Sequence, residues 1–457
     1  MVRSTQENPF DLNKASDFTN QEIADQWVDL ANTAGGLVDI LNPKSRMPML
    51  LLGGKGSGKT HLMRYCSAPV QAARHSGDFA QAAIAEGYLG IYVPLDALNT
   101  DKFAREEPVE EYWSIVFNHY FELWLATAIL GAIRDCAHSQ ALEFDEPGFV
   151  AAVIELFDIA PSITPSDLNA LHDHLTRTRK HIDSVVNNSR LRGERPLFDI
   201  TFSAGRLAFG IPELVSRHAP ALSDVLFVYL IDEVENLTAD QQRFLNSLIR
   251  YRRGSATIRV GGRLYGMKTL NTTGSGEPIR SGAEYEKVVL DELLREQPDQ
   301  YDAFVRSLIA KRLERVGYAV AAQREIDFYF EELNPREYWR SVDKLLPSKK
   351  DNQLAPYHRK LSADIKNTLG LDEPAITDII DSIRVPEHRF LEKAATFQFR
   401  KLWPVNRDDA VALAHDVGGQ ARALAAGDRD AGADLASMIS YFSSDILAQL
   451  FHDYGRR

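Results

Sequence analysis

The run Gly53-Gly54-Lys55-Gly56-Ser57-Gly58-Lys59-Thr60 satisfies the pattern GxxxxGK[ST] at every specified position. The chemistry of that spacing is anion binding. Glycines let the backbone curl until successive N–H groups point at phosphate oxygens, and a helix starting at the end of the run adds the partial positive charge of its N-terminus. Lys59 would reach the β- and γ-phosphates of a nucleoside triphosphate, the Thr60 hydroxyl would coordinate magnesium, and His61 continues the nucleotide-binding run. A second pair, Asp232 and Glu233, follows an unbroken apolar stretch. Asp232 would hold magnesium through water, and Glu233 would polarise the attacking water as a general base. An exposed acidic turn is the competing reading, because Asp224 and Glu235 lie nearby, but the phosphate loop favours catalysis. ATP with magnesium is the cofactor these residues imply.

The elements that position these groups surround them in the sequence. Met47 to Leu52 is a short apolar strand feeding the glycine loop, a helix follows from Lys59 to about Tyr65, and Tyr88 to Val93 is a second buried strand. This βαβ unit makes the sheet parallel. Val225 to Ile231 is apolar throughout, as a central strand covered on both faces must be, and it delivers Asp232 and Glu233 to the carboxyl end, where open α/β sheets bind ligands. Thr257 to Arg263 and Tyr285 to Leu290 are the fourth and fifth strands expected, with helices over 22–41 and 239–251. Between about 101 and 223 the pattern is helical, in Tyr112 to Ile133, Gly148 to Phe157 and Ser166 to Val186, and reads as an insertion in the core. The expected division is a core over 1–300 and a helical lid over 301–457. The lid opens with the apolar face Tyr301, Phe304, Leu308, Ile309 and Leu313, carries a polar linker at about 344–356, and ends in a helix around 435–451. The fold class expected is α/β: a P-loop NTPase parallel sheet with helices on both faces, a helical insertion and a C-terminal helical lid.

Composition narrows the function classes. With 457 residues, 44% hydrophobic and 25% charged, the chain has the makings of two or three folded units. A net charge of −12 leaves only a local basic patch or a ring of subunits for nucleic-acid contact. Two cysteines, Cys66 and Cys136, without CxxC, argue against a disulfide framework or a zinc site and for a reducing compartment, so a cytoplasmic location is expected. The N-terminus lacks the apolar core of a secretion signal. Trp113 to Ile133 is the most lipid-like run, but Asn118, His119 and Glu122 interrupt it, and a buried helix with no membrane is expected.

With the phosphate loop and the acidic pair in place, the sequence resembles the AAA+ ATPases, and more narrowly the origin-recognition and replication-initiator group, over roughly Asn8 to Leu313. In such enzymes a basic residue ending the helix after the acidic pair enters the neighbouring subunit's site as an arginine finger. The resemblance assigns that role to Arg250, Arg252 or Arg253, against the reading of an ordinary basic helix end. It places a γ-phosphate sensor at the end of the fourth strand, where this sequence has Arg263. An arginine there looks more like the STAND switch ATPases, and Asn271 or Thr272 is the alternative sensor. Gly418-Gly419-Gln420-Ala421-Arg422 resembles the second-sensor segment of initiator lids, with Arg422 toward the γ-phosphate, against a simple Gly-Gly helix break. The long spacing from Lys59 to Asp232 departs from a minimal core, and insertions there carry partner contacts in the family. Within it Arg177, Arg179, Lys180, His181, Arg190, Arg192 and Arg195 form a basic cluster suited to a phosphate backbone or, more simply, to a solvated helix face. The chain reaches Arg457 without a recognisable winged-helix module, which weakens direct origin binding.

Three functions follow as expectations. The first is an assembly or remodelling ATPase, a homo-oligomer acting on DNA or a DNA-bound partner. The second is a STAND-like signalling switch with slow turnover, as in bacterial defence or stress. The third, a KAP-type membrane-associated ATPase, needs a pair of spans where only Trp113 to Ile133 qualifies.

Overall fold

The structure, a computed structural model, describes residues 15–30, 36–95, 100–103, 110–140, 142–192, 197–274, 276–315, 356–369, 371–403, 409–426 and 428. It divides into two compact units, Met1–Ile326 and Asp327–Arg457. In chain order the first unit contains α1 (Asn20–Asp25), α2 (Gly36–Leu41), β1 (Met49–Gly53), α3 (Lys59–Tyr65), α4 (Ala68–Arg74), α5 (Phe79–Glu86) and β2 (Tyr88–Pro94). The insertion follows as α6 (Glu110–Ala137), α7 (Glu146–Ile154), α8 (Leu168–Arg192) and α9 (Arg206–His218). Then come β3 (Leu226–Asp232), α10 (Ala239–Arg250), β4 (Ala256–Arg263), β5 (Glu286–Val289), α11 (Leu290–Arg295) and α12 (Pro298–Arg315).

Among the described residues the strands form one parallel sheet in the order β2-β3-β4-β1-β5. The most apolar strands, β1 and β3, are buried along their whole length, whereas the edge strand β5 is exposed or half-buried. The first three strands in sequence thus enclose β4 from both sides, which brings the ends of β1, β3 and β4 together at one rim.

The helix α6 is a core element. It is the one described helix long and apolar enough to cross a membrane, yet 72% of its most apolar window is buried inside the protein. Its interrupting carboxylate has a structural use: Glu122, 1% exposed, accepts hydrogen bonds from the N–H groups of Gly205 (2.7 Å), Leu207 (2.7 Å) and Ala208 (3.1 Å), capping α9. Burial outweighs those bonds and pushes its carboxyl up to about 7.

A buried cation ties the segment before the phosphate loop to the sheet. The Arg259 side chain, 0% exposed on β4, donates to the carbonyls of Leu41 (2.8 Å), Met47 (2.8 Å), Ser45 (2.8 Å) and Asn42, so the end of α2 and the turn into β1 are held by one guanidinium. Burial pulls it down to about 10.

One expectation is corrected and one boundary is placed. The helix expected over 22–41 is two short helices, because the Asp29 carboxylate takes the N–H groups of Leu30 (2.9 Å) and Leu37 (2.5 Å) and Gly36 turns at φ 67°. The boundary expected at 300 falls after α12, whose polar face is engaged by the N-terminal segment: Lys311 donates to the Trp27 carbonyl (2.7 Å), Arg315 pairs with Glu22 (2.7 Å) and Arg312 lies over the Phe18 ring.

The second unit contains α13 (Pro356–Leu369), α14 (Glu373–Ile383), α15 (Arg389–Leu402) and α16 (Ala410–Ala426), packed around Leu361, Ile379, Ile383, Phe399, Val417 and Ala421. The polar stretch expected up to α13 and the helix expected at 435–451 lie outside the described residues.

Candidate nucleotide site

The glycine loop leaves the carboxyl end of β1 and closes into α3. Gly56 and Gly58 take φ of 86° and 92°, and a side chain at either would meet nothing within 4 Å. Glycine is required there for backbone direction, since both residues sit at positive φ, where other side chains are strained. Lys59 is 8% exposed, and its ammonium donates to the carbonyls of Gly53 (2.9 Å) and Gly54 (2.7 Å) and to Ser57 Oγ (3.0 Å). Burial lowers its pKa, while Asp291, Asp232 and Glu235 pull it back up. Thr60 is half-buried in the first turn of α3. One residue that sequence reasoning missed sits on the loop itself: Asp291, opening α11, accepts the Gly54 N–H at 2.6 Å.

Asp232 ends β3 and is 2% exposed. Its Oδ1 accepts the Glu233 N–H (2.9 Å) and its Oδ2 accepts the hydroxyl of Tyr92 (3.2 Å), a β2 residue also missed in sequence. Room for the carboxylate comes from Gly261 on β4, where an added side chain would meet Asp232 Oδ1 at 2.8 Å and Met63 Sδ at 2.7 Å. Glu233 adopts a left-handed φ of 63°, a costly conformation for a non-glycine residue, and Asn236 Nδ2 donates to its Oε2 (3.1 Å). Burial, with Asp232 and Glu235 beside it, raises its pKa, the direction a general base near neutral pH requires. Arg263 ends β4 in register with Gly53; its Nε pairs with Glu235 (3.1 Å), and its side chain is 56% exposed. Asn271 and Thr272 lie farther along, where Thr272 Oγ1 donates to the Glu277 carbonyl (2.9 Å) and Asn271 bridges to Pro278.

The phosphate loop and acidic pair thus share one rim of a sheet ordered β2-β3-β4-β1-β5, and a family model described as ORC-CDC6-like matches residues 8–457. The chain belongs to the ORC-CDC6-like family. It is an AAA+ ATPase of the replication-initiator type. Comparisons with curated proteins and with solved structures find no match.

The other residues that sequence analysis singled out in this ORC-CDC6-like chain fall in distinct places. His61 stacks on Trp27 (5.7 Å between centroids, 6° between planes), Trp27 lies on Tyr65 (3.8 Å), and Phe18 meets His61 edge-on, so an aromatic stack backs the phosphate-loop helix. Burial holds the imidazole down to about 4, with Arg312 and Arg64 adding to the effect. Of the finger arginines, Arg250 is bound within the chain, to Glu284 (2.7 Å), Glu277 (3.3 Å) and the Pro278 carbonyl (3.0 Å). Arg252 is half-buried and Arg253 exposed. In the second unit Arg422 donates to the carbonyls of Ser382 (2.6 Å) and Arg384 (3.4 Å), closing the end of α14, and Gly418 abuts the Ser382 carbonyl. In the insertion Arg177, Lys180 and His181 are exposed on α8 while Arg179 lies over the Trp124 ring at 5.8 Å. Arg190 and Arg192 fall in the last turn of α8 with side chains outside the described residues, as is all of Arg195.

The residues fit a magnesium nucleotide. The loop offers a lysine and the start of a helix, and a buried carboxylate and a threonine at the same rim of the sheet suit a cation that keeps most of its ligands as water and phosphate. Among the described residues no group of three His, Cys, Asp or Glu could hold a metal unaided.

Proposed function

We propose that this chain binds ATP with magnesium at Gly53 to Thr60 and hydrolyses it, using the nucleotide state to drive assembly with further copies of itself on DNA or a DNA-bound partner. The observation that carries the reading is the rim arrangement: a buried Asp232 and a raised-pKa Glu233 at the end of β3 and a phosphate loop at the end of β1, the two strands that flank β4 in one sheet. Magnesium would be held by the Thr60 hydroxyl and, through water, by Asp232, and would neutralise charge developing on the phosphates. Lys59, now on loop carbonyls, would exchange them for phosphate oxygens. Glu233, oriented by Asn236, would take a proton from water at its carboxylate. Arg263 would report the γ-phosphate by trading its Glu235 partner for it.

The engagement of Arg250 within the chain supports Arg253, the exposed residue, as the arginine finger for a neighbouring copy, with Arg252 beside it. Arg177, Lys180 and His181 support a phosphate-backbone contact on α8. Two buried free cysteines support a reducing, cytoplasmic setting. Size-exclusion with and without ATP, together with turnover in the presence of duplex DNA, tests the reading. A particle that stays monomeric in both states, with no stimulation by DNA, would contradict it. Purification with nucleotide retained and single slow turnovers would favour the STAND-like switch, which the Arg263–Glu235 pair also accommodates.

A further inference from the structure

The free edge of the sheet is closed at both ends and open in the middle. Among the described residues strand β2 pairs with β3 alone, on one side. At the two ends of that ladder Leu226 N–H donates to the Gly87 carbonyl (3.2 Å) and Leu95 N–H to the Asp232 carbonyl (3.0 Å). By the alternation of a parallel ladder, Leu89, Ile91 and Val93 turn their backbone groups toward β3, and Tyr88, Gly90, Tyr92 and Pro94 turn theirs outward. The side-chain amide of Gln71, 0% exposed, satisfies the first outward groups, donating to the Tyr88 carbonyl (3.0 Å) and accepting the Gly90 N–H (3.0 Å). Pro94 has no N–H to offer, a common way to blunt an edge. Between them the Gly90 carbonyl and the Tyr92 N–H have no partner among the described residues.

That open rung faces a cavity of about 580 Å³ lined by Gly90, Ile91 and Tyr92. Its floor is one stripe of α6: Trp124, Ala128 and Gly131 follow at i, i+4 and i+7, so an aromatic platform gives way to small residues that leave space for a passing backbone. Arg64 from α3 and Arg179 from α8 stand in the walls, against a single carboxylate, Asp135. Arg64 is oriented by its bonds to the Phe18 carbonyl (3.0 Å) and Asn20 Oδ1 (3.1 Å), and Arg179 by the Trp124 ring. Hydrogen-bonding groups spaced for a strand, a small-residue floor and two fixed guanidinium groups define the chemistry of an occupant: extended backbone plus a carboxylate.

We propose that this groove docks an extended segment of a partner protein, which adds to β2 at the Gly90–Tyr92 rung and places an acidic side chain between Arg64 and Arg179. Because the Tyr92 hydroxyl also donates to Asp232, a docked strand that fixes Tyr92 acts on that carboxylate. This last step rests on the nucleotide-site reading; the docking does not.

Random seven-residue peptides displayed on phage and selected against the full chain test the docking. The selected peptides should share an Asp or Glu at a fixed place in an alternating sequence. Arg179→Glu should weaken a synthetic selected peptide about tenfold or more and shift a repeat selection toward basic residues. Ala128→Trp, which fills the floor, should abolish binding, and the Tyr92 amide should exchange more slowly in the complex. The melting temperature and nucleotide binding of each variant establish that it folds, and Arg179→Glu alone suffices if Ala128→Trp does not. Selection no better than a blank surface, binding indifferent to Arg179→Glu, or an unchanged Tyr92 amide would overturn the proposal. Displacement of the peptide by oligothymidylate that itself depends on Arg179 would overturn it in favour of single-stranded nucleic acid.

Discussion

Two glycine-bearing motifs of this chain look alike in sequence and serve opposite ends in the structure. At Gly56 and Gly58 a side chain would meet nothing within 4 Å, so these glycines serve backbone direction at positive φ rather than packing. At Gly418 a side chain would lie 1.8 Å from the Ser382 carbonyl oxygen, so the glycine lets two helices touch, and Arg422 four residues on closes the end of the helix it touches. The first motif needs glycine for the course of the backbone and the second for a contact between helices. A glycine's neighbour, rather than its presence in a pattern, separates the two uses.

The contrast can be broken most sharply at Gly418. Gly418→Val forces side chain into backbone and should destabilise the second unit by about 3 kcal/mol, read as a lowered urea midpoint; an unchanged midpoint would remove the packing explanation. Next in size, Glu233→Gln should slow hydrolysis about 100-fold while ATP still binds and the urea midpoint holds, since it removes a base without touching the cradle. Arg422→Ala should cost about 1–2 kcal/mol of stability with turnover unaltered. Should turnover instead fall more than tenfold, the second motif would join the first as a ligand site. The smallest effect concerns His119, 4% exposed, stacked on Phe202 with neither ring nitrogen bonded among the described residues.

Burial holds His119 down to about 4, below its ordinary 6.5. The unfolded chain therefore takes up a proton between pH 6.5 and 4 that the folded chain does not, and stability falls as pH drops through that window. His119→Phe should gain about 1 kcal/mol at pH 8 and more at pH 5. A gain that does not widen toward pH 5, by urea midpoints at the two values, would contradict the assigned environment.

The parts legible in the sequence are those whose cause is local. Strand β1, the loop and α3 are contiguous, and β3 with Asp232 and Glu233 declares itself by continuous apolarity followed by two acids. The apolar run of α6 also shows its burial, though not that Glu122 would cap a helix more than eighty residues away. Contacts made by the fold alone stayed hidden. Tyr92 reaches Asp232 only because β2 and β3 are neighbours, and Asp291 reaches Gly54 only because β5 returns beside β1. The break between α1 and α2 had a readable sign in Gly36, overridden by the helical spacing around it. The candidacy of Arg250 as a finger was legible because its position at a helix end is local, whereas the acids that engage it, Glu277 and Glu284, arrive from the β4–β5 connection.

The aromatic stack behind the phosphate loop has an optical consequence. Trp27 lies flat on Tyr65 and beside His61, both on the helix that begins with Lys59 and Thr60. An indole in that position is a built-in fluorophore: its emission is set by ring contacts that shift with the first turns of α3. Titrating nucleotide into the unlabelled chain, with Trp27→Phe as the blank, should therefore report loop occupancy as a change in light, without a dye or a tag.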